Sequence, residues 1–135
     1  MPRKHTSIAF KMKLVRHYAK RKAERAAGID PTRWILIDCK SDDRKAGRIG
    51  FNLTRDFVEG MIANGCLYCG ETTLRMTMDR IDNTKAHSKD NVNPACIRCN
   101  YLRRDMPYEA WLLLCPAVRM VCESGAFGQW QCRAR

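Results

Sequence analysis

Two short cysteine pairs, Cys66-Leu-Tyr-Cys69 and Cys96-Ile-Arg-Cys99, constrain this chain most, because the 26 residues between them must fold back to bring four thiols together. A C-x2-C unit offers two thiolates at the reach a tetrahedral Zn²⁺ needs, about 2.3 Å from each sulfur, and a second unit completes the shell. A disulfide within a pair is the weaker reading, since the x2 spacing strains a bridge and the cytosol keeps thiols reduced. The spacing therefore predicts a structural zinc held by Cys66, Cys69, Cys96 and Cys99. Cys39, Cys115, Cys122 and Cys132 have no ligand spacing and receive no role; a free cysteine is often just a small buried hydrophobe.

The 135 residues suit one small domain with extensions. The longest nearly apolar run, Ala110 to Val118, contains Pro116 and is nine residues long. A spanning helix needs about 20. Ile8-Ala9-Phe10 is followed at once by Lys11, so no signal-peptide core is present, and an intracellular, cytoplasmic protein is expected. The formal charge of +11 is concentrated at one end: residues 1–55 hold 15 Lys and Arg against 5 Asp and Glu. Such an excess suits a polyanion, because neutralised phosphates release their counterions.

Along the chain, Ile8, Met12, Val15, Ala19, Ala23 and Ala26 recur at helical spacing between Thr6 and Ala27, and Gly28 is a stop. Lys11, Lys13, Arg16, Lys20, Arg21, Lys22 and Arg25 cover the remaining circumference. This helix either packs weakly as a solvated element or lies along a phosphate backbone, the reading the charge density favours. Asp30-Pro31 reads as a cap and first helical residue, with a helix over 31–46 stopped by Gly47, although Trp34-Ile35-Leu36-Ile37 also suits a buried strand. Phe51-Asn52-Leu53 looks extended; Thr54 caps a helix whose Phe57, Val58, Met61 and Ile62 share a face, and Asn64-Gly65 ends it. A last helix opens at Met106-Pro107-Tyr108 and closes at Ser124-Gly125, with a kink or break at Pro116. The domain reading is 1–50 as a basic helical extension, 51–124 as the zinc-stapled body, and 125–135 as a loose tail.

The block from Cys66 to Asp105 resembles the HNH nuclease family, also called the ββα-metal or His-Me finger group, and particularly its zinc-stabilised phage members. The resemblance rests on the Cys66-x2-Cys69-Gly70 knuckle, on Asp79 ending a strand, on Asp90-Asn91-Val92 with Pro94-Ala95-Cys96, and on Cys99-Asn100. It implies an α+β fold in which a β-hairpin and helix surround one catalytic divalent ion, while the cysteines staple hairpin to helix through zinc. It further implies that Asp79 and Asn100 bind the catalytic Mg²⁺ or Mn²⁺, for which hard oxygen donors are suited. Asn91 would hold the loop that presents the general base, as a side-chain amide bonding backbone on both sides of a turn can. The plain alternatives are a solvated strand-end acid for Asp79 and a helix-capping amide for Asn100.

Arg80 departs from the family pattern, for it stands where the first histidine normally activates water. A guanidinium has no lone pair to accept a proton at neutral pH. Three arrangements remain open: Arg80 clamps the scissile phosphate while another base acts, the metal ion alone ionises the water, or the site is inactive. His87, in the loop between the strands, is the candidate base, with Asp82 behind it; a solvent-facing loop histidine is the plain reading. Arg75, Lys85, Arg98, Arg103 and Arg104 flank the motif and are expected, with the N-terminal helix, to track a DNA backbone.

The sequence thus points to a metal-dependent DNA endonuclease of phage or mobile-element type, acting in the host cytosol on DNA, expected to be double-stranded, with a homodimer or a packaging or replication protein as further partner. The resemblance leaves homing, nicking and packaging roles open. Two alternatives stand beside it: a non-catalytic zinc module binding DNA or RNA on the same fold, and a zinc-stapled protein-interaction domain.

Overall fold

In the computed structural model, residues 7–132 are described; the helix start at Thr6, His5 and the last three tail residues lie outside them. Helix α1 (Ile8–Ala26) is capped by the Ser7 hydroxyl, which accepts from the Phe10 N–H at 3.2 Å, and Gly28 follows it at φ 70°. It buries none of its residues; Ile8, Met12 and Val15 of its apolar stripe stay exposed. The chain divides after Pro31, so the unit carrying α1 and the unit from Thr32 onward are separate bodies.

Helix α2 (Pro31–Ala46) starts on proline, whose fixed φ and missing N–H suit a first helical position. Asp30 precedes it at φ 48°, a left-handed conformation rather than the extended one of an ordinary cap. The strand alternative for Trp34–Ile37 is displaced: the segment is helical, and burial at Thr32, Trp34, Ile35, Cys39 and Asp43 follows a helical face rather than a strict alternation. Ile35 and Cys39 pack with Leu53, Val58, Met78 and Val92 in one core. That packing moves the boundary expected at residue 50 back to Pro31: α2 belongs to the body, not to the extension.

Helix α3 (Arg55–Ile62) is capped by Thr54 Oγ1, which accepts from the Phe57 N–H at 3.4 Å, and lays Phe57, Val58, Met61 and Ile62 on the same core. The chain then turns through Gly65 at φ 77°, where an added Cβ would stand 2.8 Å from the Glu71 carbonyl. Strands β1 (Met76–Arg80) and β2 (Val92–Cys96) pair antiparallel, with Met76 opposite Cys96 and Asp79 opposite Asn93. Helix α4 (Ile97–Arg103) follows β2 without a loop. Helix α5 (Tyr108–Glu123) buries Trp111 edge-on to Tyr68, in a second core that includes the four paired cysteines.

Helix α5 continues through Pro116, so of the expected kink or break the break is absent. The tail is not loose over its first residues either. Arg98 Nε donates to the Trp130 carbonyl at 2.9 Å, its guanidinium lies over the Phe127 ring, and Phe127 stacks on Trp130. No helix among the described residues is long and apolar enough to cross a membrane.

Candidate active site

The four paired cysteines converge: their sulfurs all lie within 4.8 Å of one another and all four residues are buried. Cys69 Sγ and Cys96 Sγ are 3.7 Å apart, and a tetrahedron with metal–sulfur distances of about 2.3 Å has edges of about 3.8 Å. The donor set and spacing therefore fit a structural metal such as zinc. Hydrogen bonds from the three neighbouring thiols push Cys66 down, towards thiolate, and the same sharing pushes Cys99 up. The remaining cysteines lie outside the cluster; burial, with Asp42, Asp43 and Asp38 nearby, pushes the Cys39 thiol up to about 12, which makes it a core hydrophobe.

Alternation along β1 sends Thr77 and Asp79 to one face and Met78 and Arg80 to the other. On the first face lies α4, whose Asn100 and Arg103 are one turn apart. Asn100 Nδ2 donates to Thr77 Oγ1 at 2.9 Å, and that hydroxyl donates to the Ala95 carbonyl at 2.9 Å. Arg103 donates to Asp79 Oδ2 at 2.7 Å, to the Ile81 carbonyl at 2.8 Å and to the Arg80 carbonyl. The Tyr68 hydroxyl, from within the first cysteine pair, donates to the same Asp79 Oδ2 at 2.6 Å; burial and that carboxylate push its phenol up, so it stays a donor. Asp79 and Asn100 thus share the β1–α4 seam, each with its amide or carboxylate orientation fixed by one atom. Among the described residues no hydrogen bond is seen to Asp79 Oδ1 or Asn100 Oδ1; Asp79 is buried and Asn100 half-buried. A carboxylate and an amide at one seam offer hard oxygens of the kind that suits a divalent cation.

On the other face Arg80 reaches over the loop between the strands, donating to the Asn83 and Lys85 carbonyls. Asn91 ties that loop from inside. Its Oδ1 accepts from the Asp82 N–H at 2.9 Å, and its Nδ2 donates to the carbonyls of Asp82 and Ala86 at 3.1 and 3.0 Å. The Thr84 hydroxyl and N–H bond Asp82 Oδ1 and hold its carboxyl below the usual range, so Asp82 is a loop staple and a poor base.

His87 is not solvent-facing, as the plain reading had it. It is buried, with Nδ1 2.9 Å from Asp43 Oδ1 and its backbone N–H donating to Asp43 Oδ2 at 2.8 Å. Burial lowers its pKa, against the opposing pull of Asp43 and with help from Arg80 and Arg48. Asp43 itself is buried, which would raise its pKa, but hydrogen bonds from His87 and Arg48 outweigh this and hold it below the usual range.

Two expected DNA contacts are corrected. Arg98 and Arg103 are each about 1–2% exposed and spent inside the protein, Arg98 on Glu71, Gly128 and Trp130 and Arg103 on Asp79. Arg75, Lys85 and Arg104 are exposed, as are Lys11, Lys13, Arg16, Lys20 and Lys22 of α1; Arg21 and Arg25 are half-buried. The sequence reading missed Tyr68, Thr77 and Asp43. Tyr68 and Thr77 adjoin motif residues and were within reach of a strand-alternation argument, whereas nothing in the sequence links Asp43 to a histidine 44 positions away.

Among solved structures, that of the rare-cutting HNH restriction endonuclease PacI superposes with a TM-score of 0.58 at 16% identity, over 70% of this chain and 81% of that one. The fold is HNH-like. An uncharacterised protein of Acanthamoeba polyphaga mimivirus, R423, is 28% identical over 71 residues, half of this chain but only 13% of that protein's length. No family model matches the sequence.

Proposed function

We propose that the chain is a metal-dependent endonuclease that hydrolyses DNA phosphodiester bonds. The observation that carries this is the β1–α4 seam, where Asp79 is held by Tyr68 and Arg103 and Asn100 by Thr77. The HNH-like fold of the PacI enzyme, a DNA-cutting protein, supports it. Asp79 and Asn100 would hold Mg²⁺ or Mn²⁺, which supplies charge stabilisation for the phosphorane and the leaving 3′-oxygen. Arg103 and Tyr68 keep the Asp79 carboxylate aimed. Arg80, one residue on and across the strand, offers its remaining N–H groups to a phosphate bridging the strand end. Asn91 fixes the loop that carries His87. The zinc-type cluster anchors β2 to α4, so that the cation ligands do not drift. Lys11, Lys13, Arg16, Lys20 and Lys22, with Arg75, Lys85 and Arg104, bind the duplex backbone, and the source is phage-like or mobile.

The test is incubation of supercoiled plasmid with the full chain in Mg²⁺ and in Mn²⁺, beside Asp79→Ala and Asn100→Ala. Metal-dependent nicking or linearisation, lost in both variants, is expected. Cleavage that persists in Asp79→Ala, or no cleavage by the wild-type chain with DNA binding intact, refutes the reading. The second outcome favours a non-catalytic binding module, the alternative to which Arg80 in the base position points.

A further inference from the structure

We propose that the cleft beside the β1–α4 seam is a subsite for an unstacked nucleobase bearing an exocyclic amine, with the Tyr108 hydroxyl as its donor and the Asp105 and Glu109 carboxylates as its acceptors. The inference rests on the nuclease reading above and gives that site a means of choosing among DNA positions.

The cleft, of about 370 Å³, opens where the chain leaves β1 and where α4 gives way to α5. Ile81, Met106 and Pro107 are its apolar walls, and the half-buried Tyr108 belongs to its lining. Two hydrogen-bonded paths join it to Asp79. Arg103, which lines the cleft, donates to Asp79 Oδ2 at 2.7 Å and lies over the Tyr108 ring, 5.2 Å from its centre. The second path runs through Asn93, the ladder partner of Asp79, whose Nδ2 donates to the Tyr108 hydroxyl at 2.8 Å and to the Tyr68 hydroxyl at 3.4 Å.

These bonds decide what Tyr108 can offer. Tyr68 spends its one proton on the Asp79 carboxylate, which only accepts, so towards Asn93 the Tyr68 oxygen can only accept in turn. Asn93 therefore turns its NH₂ to the two tyrosines and gives one hydrogen to each. The Tyr108 oxygen is an acceptor in that bond, and its own proton has no acceptor among the described residues. A ligand of the cleft is left to take it.

Charge selects the ligand. Arg103, the one cation in the lining, is buried and spent on Asp79 and on the carbonyls of Arg80, Ile81 and Met106. Asp82 gives one oxygen to Thr84, whereas Asp105 and Glu109 are exposed and make no hydrogen bond or ion pair among the described residues. Three carboxylates without a free cation repel phosphate, although the chain as a whole carries +11 and attracts it. A flat ring with amine hydrogens suits the same surroundings: its faces meet the apolar walls, its amine donates to a carboxylate, and its carbonyl or ring nitrogen accepts from Tyr108. Cytosine, adenine and guanine carry an amine, and thymine does not. A paired base hides these edges in the duplex, so the base that enters is one drawn out of the stack.

The test measures affinity of the zinc-loaded full chain for four duplexes that differ only in one unpaired base, C, A, G or T, without other divalent ions so that none is cut. At least one amine-bearing base is expected to bind about tenfold or more tighter than thymine. Tyr108→Phe, which keeps the ring, and Asp105→Ala/Glu109→Ala, both at exposed positions, should each reduce that preference to about twofold or less. The salt dependence of binding should stay as in wild type, because no phosphate contact is removed. Equal affinity for the four duplexes, a preference for thymine, or a preference unmoved in both variants overturns the subsite. If Tyr108→Phe does not fold, the carboxylate variant still decides. A chain that shows the preference yet cuts DNA in neither Mg²⁺ nor Mn²⁺ overturns the nuclease reading and leaves the subsite standing.

Discussion

Replacing Arg103 by Met tests the site where structure and sequence expectation part most sharply. As a surface contact, Arg103 would cost DNA affinity and little stability when removed. Its side chain is instead 1% exposed, paired with an Asp79 side chain 3% exposed. It donates to one carboxylate oxygen and to the carbonyls of Arg80, Ile81 and Met106. Methionine keeps much of the volume but removes every donor. Breaking a buried ion pair from one side costs about 3–5 kcal/mol, because the partner charge is left in place without its counter-charge. Tyr68 remains on Asp79 and offsets part of this, whereas the orphaned carbonyls add to it, each worth about 1 kcal/mol where water cannot reach. The expected loss is therefore about 3–5 kcal/mol, measured as a shift in urea midpoint at unchanged slope. A double-mutant cycle with Asp79→Asn separates charge from packing: in the Asn background Arg103→Met should cost less by about 2 kcal/mol. A single-variant loss below about 1 kcal/mol, or a coupling near zero, would refute the assignment of Arg103 as the inner clamp on Asp79.

Three further outcomes follow from the same contacts. Cys99→Ser, or stripping with a strong zinc chelator, should abolish cooperative unfolding, because the cluster supplies the centre of the second core; a variant that retained its melting transition and one bound zinc would remove the structural-metal assignment. The folded pKa of His87 lies below its ordinary 6.5, so the unfolded chain binds its proton first. Its contribution to stability is full above about pH 6.5 and is lost as pH falls through the folded value; thermal melts should fall over that window in wild type and flatten in His87→Gln, and a flat wild-type profile would contradict the burial argument. Arg104 sits at φ 51° and ψ −121° with an exposed side chain. Arg104→Gly should therefore gain about 1 kcal/mol in a denaturation curve while weakening DNA binding, and a loss of stability would show that the backbone there is unstrained.

The metal cluster and the hairpin–helix order were legible because their signals are local: two C-x2-C pairs, a strand ending in Asp79, a cysteine followed by Asn100. The caps were legible for the same reason, as Thr54 and Gly47 show. What the sequence hid was direction. Arg98 and Arg103 are written like the exposed Arg75 and Arg104, and only the fold decides that one pair turns inward to a carboxylate and a string of carbonyls while the other meets water. The extension boundary was misplaced on similar grounds. Charge counting joined α1 and α2, but α2 carries Ile35, Cys39 and Asp43 on one buried stripe, and that periodicity outweighs its flanking lysines and arginines.

Asp43 follows from this inward stripe. An aspartate among buried Thr32, Ile35 and Cys39 would be an expensive choice for a helix that only had to pack, because burying a carboxylate is unfavourable unless hydrogen bonds and opposite charge compensate. Here they do: Arg48 and the His87 backbone and ring satisfy both oxygens. Arg80 belongs to the same arrangement. Its guanidinium holds the loop carbonyls of Asn83 and Lys85, Asn91 holds those of Asp82 and Ala86, and together they place His87 against α2.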